Sequence, residues 1–269
     1  MQGERLEEQL KQKRSADLDI TGAVKPLWVD APARLKLNEG EAHVWRASLD
    51  QPRGAIERLL TLLSQDELER AERFYRPLHR DNYVVARGVL RSIISRYLSF
   101  PPASLHFTYS YYGKPSLSPE ENHYGLSFNL SHAGHLALYA FTRGLAVGID
   151  VELLREEFAS IEIAERFFAA DEVATLKSLP DEIQTRAFFN CWSRKEAYIK
   201  ALGEGLSHPL HDFTVAFSPH SEAALVAVRN GPAELSRWKI YDLPAGDHYA
   251  AALVIEHPSP TLKHWQWTE

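Results

Sequence analysis

Val147-Gly148-Ile149-Asp150-Val151-Glu152 alternates apolar and acidic residues. As a β-strand it sends Val147, Ile149 and Val151 to one face and Asp150 and Glu152 to the other. Further along, Trp192-Ser193-Arg194-Lys195-Glu196-Ala197-Tyr198-Ile199-Lys200 reads as helix, and Trp192, Glu196 and Lys200 share one of its faces. Together the two stretches offer three carboxylates for a hard cation and an ammonium for an anion. That set suits Mg²⁺ holding a polyphosphate. Taken alone, neither decides anything. An acid-x-acid pair is usually the wet side of a strand, and Glu196 with Lys200 is an ordinary i,i+4 ion pair.

Outward from these stretches the chain repeats one plan. Ser64-Gln65-Asp66-Glu67 is a capping box that predicts a helix running to about Tyr75, with Pro77 ending it. Val85, Val89, Ile93 and Tyr97 recur every four residues and predict a long helix over Asp81–Leu98. Strand patterns cover Leu27–Val29, His43–Leu49, Leu105–Ser110, Ser127–Leu130 and Leu136–Phe141. After the strand Ala146–Val151, short helices are expected near Ile161–Phe168 and Ala170–Leu179, and a long one over Glu182–Leu202. Strand runs follow at Phe213–Phe217, Ala224–Val228, Trp238–Leu243 and Tyr249–Ile255. The reading is α+β: two similar halves related by a pseudo-twofold, each a small antiparallel sheet packed on a long helix. The active site is expected at their interface. Residues 1–25 read as a flexible tail, 26–142 as the N-terminal half and 143–269 as the C-terminal half.

Composition bounds the partners. The chain has 269 residues and a net charge of −6, which argues against nucleic-acid coating and membrane-surface binding. Locally, Glu67–Arg96 holds seven arginines against four acids, so a basic surface sits inside an acidic whole. One cysteine, Cys191, excludes an intramolecular disulfide framework and reads as a buried packing thiol. The N-terminus lacks an apolar core of signal-peptide length and no stretch is long enough to cross a bilayer, so a cytoplasmic protein is expected.

Two further motifs complete the pattern. Gly113-Lys114-Pro115 is a turn with a lysine at its tip, and Phe128-Asn129-Leu130-Ser131-His132 places a polar cluster on an apolar strand. Ser131 beside His132 is not a hydrolase pair, because neighbours on a strand face opposite ways and no nucleophile elbow is present. In order, Gly-Lys-Pro, Phe-Asn-x-Ser-His, Gly-Ile-Asp-Val-Glu and Trp-Ser-x-Lys-Glu-Ala-Tyr-x-Lys-Ala resemble the 4′-phosphopantetheinyl transferases. The match is to the longer, surfactin-synthetase type with two similar halves in one chain. It spans about Leu60 to Phe217, from the Arg70-Ala71-Glu72-Arg73-Phe74-Tyr75 stretch to the Gly203–Leu206 turn.

The resemblance implies an enzyme that moves phosphopantetheine from coenzyme A to a serine of apo acyl or peptidyl carrier proteins and releases adenosine 3′,5′-bisphosphate. It implies that Asp150, Glu152 and Glu196 bind Mg²⁺. Glu196 would also be the general base, and Lys200 would contact the pyrophosphate and serve the leaving group. His132 and Arg70 would hold the 3′-phosphate of coenzyme A. Gly113, Lys114 and Ser131 would line the ligand, and Lys195 would help with phosphate charge. The position three before Arg70, basic in some members, is Glu67 here, so the 3′-phosphate clamp would be thinner or would use Arg73, Arg80 or Arg87 instead. A monomer is the simplest expectation for two halves in one chain. The rivals are a metal-dependent nuclease, which an acidic chain without a basic groove disfavours, and a non-catalytic module binding coenzyme A or a carrier. Such a module would have lost one of Asp150, Glu196 or Lys200, and all three are present.

Overall fold

Alternation along the strands builds two sheets, and helical stripes cover their outer faces. In the computed structural model the described residues are 28–269 without 204, 206, 207, 219, 220, 230 and 232. The expected tail, 1–25, lies outside them, as does part of the Gly203–Leu206 turn. In chain order the elements are β1 (Val29–Asp30), β2 (Glu41–Ser48), α1 (Arg53–Leu60), α2 (Gln65–Glu72), α3 (Pro77–Leu98), β3 (Phe107–Tyr109), β4 (Pro115–Leu117), β5 (Leu126–Ala133) and β6 (Leu136–Arg143). Then come β7 (Val147–Leu153), α4 (Ile161–Phe167), α5 (Ala170–Ser178), α6 (Asp181–Leu202), β8 (Phe213–Ala216), β9 (Ala224–Val228), α7 (Ala233–Arg237), β10 (Lys239–Asp242), β11 (Tyr249–Ile255) and β12 (Thr261–Gln266).

The first sheet has the order β1-β12-β2-β6-β5 and the second β10-β11-β7. The antiparallel expectation holds for β2, β6 and β5 and for the whole second sheet. Strand β12, which the sequence pattern passes over, adds parallel pairs to β1 and β2. It thereby carries the end of the 143–269 segment into the sheet of the 26–142 segment. Pro77 opens α3 rather than closing α2: a proline at the first helical position loses no intrahelical hydrogen bond.

On β2, Trp45 and Ala47 point to α3 while Ala42 and Val44 point to the second sheet. On β11, Ala250, Ala252 and Val254 pack toward α6 while Ala251, Leu253 and Ile255 join the middle core. The layers are therefore α3, first sheet, second sheet and α6. Cys191 lies on the buried face of α6, as expected of a packing thiol. Among the described residues no helix is long and apolar enough to cross a membrane.

Candidate active site

Strand β7 places the acidic pair. Val147, Ile149 and Val151 fill the core between the sheets, so Gly148, Asp150 and Glu152 face α6. Gly148 sets how near the helix comes. A Cβ there would stand 2.0 Å from the Ala197 carbonyl oxygen and 2.4 Å from the Ala201 nitrogen. Without that side chain, α6 lies directly on the strand. Its Trp192, Glu196 and Lys200 are the half-open positions of a turn sequence otherwise buried, so the i,i+4 stripe borders the cleft. Trp192 leans on Phe167, Phe168 and Phe188 and closes the apolar side.

Strand β5 from the other half holds β7 in register. The Asn129 Oδ1 accepts from the Ile149 backbone N–H at 2.8 Å, a group on the β7 edge that no strand covers. Two residues on, the Ser131 hydroxyl donates to Asp150 Oδ1 at 2.9 Å. The Lys200 ammonium donates to the same Asp150 oxygen at 2.5 Å and to Ser131 Oγ at 3.1 Å. Asp150 is buried, and its other oxygen, Oδ2, has no hydrogen-bond partner. Burial, then the Asp150 charge, pushes the Glu196 carboxyl up to about 7, with Lys200 opposing. Glu152 is likewise pushed up to about 7 by burial, then by Asp150 and, less, by Glu196. Three carboxylates thus crowd one spot that a single ammonium only partly neutralises.

Whether this spot suits a cation is testable on its own atoms. Among the described residues no group of three His, Cys, Asp or Glu side chains stands in metal-holding geometry. The donors are nonetheless all oxygen, one of them is buried and unpartnered, and two carboxyls are driven toward protonation by burial and then by the Asp150 charge. That chemistry fits a small hard cation such as Mg²⁺.

Beside the carboxylates lies a cleft that takes anions. Arg70, Arg87, His132 and Lys200 line one cavity of about 350 Å³, with Tyr83 and Tyr109 between them. Burial, then the Lys200 charge, holds the His132 imidazole below its ordinary value. A second cavity, of about 540 Å³, shares Gly113, Leu130 and Lys200 with the first and reaches Glu196 and Tyr112. Arg87 reaches this cleft because Glu67 accepts from its Nε at 2.5 Å while Tyr109 accepts from its Nη2 at 3.1 Å. Glu67, the unexpected acid, thus orients an arginine.

One expectation needs correction. Lys195 does not serve phosphate: it is fully buried on the far side of α6. Its ammonium is used by Glu172 at 2.7 Å and by the Leu210 and Phe213 carbonyls. One residue along a helix is a turn of 100°, enough to move Lys195 from cleft to core. Lys114 lines the cleft, and its ammonium donates to the carbonyls of Val147 and Lys200. Asn129 is a site residue that the Phe-Asn-x-Ser-His pattern does not assign. Its place two residues before Ser131, on the same strand face, was the available signal.

Residues 146–254 match the family described as the 4′-phosphopantetheinyl transferase superfamily, and residues 44–143 match 4′-phosphopantetheinyl transferase, N-terminal. The chain is similar to the 4′-phosphopantetheinyl transferase HetI of Nostoc sp. (strain PCC 7120), with 39% identity over 240 residues that cover 89% of this chain and 98% of HetI. Similarity to the 4′-phosphopantetheinyl transferase Sfp of Bacillus subtilis (strain 168) is 30% over 203 residues, covering 75% of this chain and 86% of Sfp. The holo-[acyl-carrier-protein] synthase of Thermotoga maritima overlaps 42% of this chain and 62% of its own, at 26% identity and a TM-score of 0.33.

Proposed function

This chain belongs to the 4′-phosphopantetheinyl transferase superfamily, and we propose that the cleft between β5, β7 and α6 is where it moves phosphopantetheine from coenzyme A to a carrier-protein serine. The observation that carries the assignment of the site is the meeting of Asp150, Glu152, Glu196 and Lys200 beside a cavity lined by Arg70, Arg87 and His132.

The substrate is polyanionic. Arg70 and Arg87 supply the positive charge that takes the 3′-phosphate, His132 offers it a ring N–H, and the Gly113 backbone edges the same cavity. Asp150, Glu152 and Glu196 would hold Mg²⁺. When bound, the ion neutralises pyrophosphate oxygens and makes the phosphorus a better electrophile. Lys200 exchanges its hold on Asp150 for the pyrophosphate and neutralises the charge that gathers on the leaving phosphate. Ser131 keeps Asp150 turned inward during that exchange. Glu196 takes the proton of the carrier serine as the serine Oγ–phosphorus bond forms. The pyrophosphate P–O bond breaks, and adenosine 3′,5′-bisphosphate leaves. A cytoplasmic monomer with no nucleic-acid or membrane partner completes the proposal, in keeping with the net charge of −6.

Intact-mass spectrometry of apo acyl and peptidyl carriers, mixed with this protein, coenzyme A and Mg²⁺, tests the reading. Carriers are expected to gain one phosphopantetheine, and the gain should vanish with EDTA or with Glu196→Gln. A Glu196→Gln protein that transfers as fast as the wild type removes Glu196 as the base.

A further inference from the structure

The Gly113-Lys114-Pro115 turn is tightly bonded. Gly113 takes a left-handed φ of +80°, which its lack of a Cβ permits. The Gly113 N–H donates to the Ser110 carbonyl, the Ser110 N–H to the Lys114 carbonyl, and the Lys114 N–H to Ser110 Oγ. So fixed, the turn sends the Lys114 side chain inward between β7 and α6. Its ammonium donates to the Val147 carbonyl at 3.1 Å and to the Lys200 carbonyl at 2.6 Å.

Both carbonyls need an outside partner. Lys200 lies in the last turn of α6, where carbonyls have no helical N–H to accept from. Val147 shares strand parity with Ile149, whose N–H points off the open edge of the second sheet to Asn129. One ammonium satisfies a strand edge and a helix end at once, and positive charge suits the negative end of a helix. Burial holds Lys114 down to about 8, still above neutral pH, so the ammonium that makes these bonds is mostly charged there. To touch a phosphate it would have to leave two carbonyls unpaired.

We propose that Lys114 is a positioning residue that seats Lys200, and not a ligand of the bound polyphosphate. Lys200 is gripped twice: its carbonyl by Lys114, its ammonium by Asp150 and Ser131. The first grip fixes the Cα from which the second side chain starts. The hairpin of one half thereby sets where the cation of the other half stands. This rests on the reading of Lys200 as the residue that serves the pyrophosphate.

The test is steady-state transfer by wild type, Lys114→Met and Lys114→Arg, with coenzyme A and an apo carrier. Loss of seating lowers kcat about 10- to 100-fold, the scale of a small misplacement of a reacting group, with KM for coenzyme A within about 3-fold of wild type. Arginine, which keeps charge and donors, restores most of kcat. Hydrogen exchange should quicken in the last turn of α6 of Lys114→Met, with the first sheet unchanged. A raised KM with kcat retained overturns the proposal and makes Lys114 a ligand. So does a Met variant with unaltered kcat. Should Lys114→Met not fold, the same kinetics on Lys114→Gln, which keeps N–H donors without the charge, decide between a kcat and a KM effect. Absence of transfer by the wild-type protein would instead withdraw the assigned function and leave the seating to be read by exchange alone.

Discussion

Helices α3 and α6 are both 22 residues long, and they do different work from one frame. In each, the fifteenth residue is a buried cation, Arg91 or Lys195. Each pairs with a buried glutamate, Glu67 at 2.6 Å and Glu172 at 2.7 Å. Both glutamates also cap the short helix before, accepting from the Ser64 and Ala169 N–H groups. The frame is repeated down to its ion pair. One residue later the halves part. On α6, Glu196 and Lys200 face the carboxylates of β7. The matching residues of α3 are Ser92, whose hydroxyl bonds the Gly88 carbonyl, and Arg96, which lies over Trp45 and donates to Pro32. One copy holds the carboxylates and Lys200, and the other brings Arg70, Arg87 and His132 to the neighbouring cavity and Lys114, Asn129 and Ser131 to β7 and α6. The buried ion pair fixes how each long helix is rotated on its sheet. The residues just past it are then free to differ.

The comparison breaks most sharply at these divergent positions. Glu196→Gln should lower transfer about 10²- to 10⁴-fold, the usual loss of a general base, while Ser92→Ala on α3 stays within about 2-fold, both measured by carrier mass shift. Next come the shared pairs. Glu67→Gln and Glu172→Gln should each cost about 3–5 kcal/mol in urea unfolding, because each leaves a buried cation poorly compensated. The two are expected to differ in kinetics: only Glu67→Gln also loosens Arg87 and raises KM for coenzyme A. Third, Gly148→Ala should cost about 1–3 kcal/mol as α6 is pushed off β7, with kcat falling in the protein that still folds. The smallest effect belongs to acid. Burial, then the charge of Lys263, pulls His43 down to about 4 in the first sheet, against the Glu41 charge. Between the ordinary imidazole value and 4 the unfolded chain binds a proton that the fold refuses, so stability falls as pH drops. About 1–2 kcal/mol should be lost between pH 7 and pH 5, a loss that His43→Phe would reduce, read by denaturation at both pH values.

Local rules made much of the site legible. The acidic face of Val147–Leu153 and the Trp192–Glu196–Lys200 stripe follow from the periods of strand and helix. The capping box at Ser64 and Glu67 was readable for the same reason. The short helix Arg53–Leu60 and the strand Thr261–Gln266 escaped notice, the latter because its partners β1 and β2 lie more than 200 residues away. Lys195 reads as a phosphate partner in sequence because a lysine in a motif carries no sign of the carbonyl or carboxylate it will meet.

By itself, then, the sequence determined the α+β plan and the family, and it put Asp150 and Glu152 on one strand face and Glu196 and Lys200 on one helix face, since repeating patterns and ordered motifs act over a few residues. Only the tertiary structure decided which lysine faces the cleft, which one seats it, and why Glu67 stands where a base was expected. Those outcomes depend on burial and on long-range hydrogen bonds. A buried charge is settled by the partner that packing brings to it, and no local pattern names that partner.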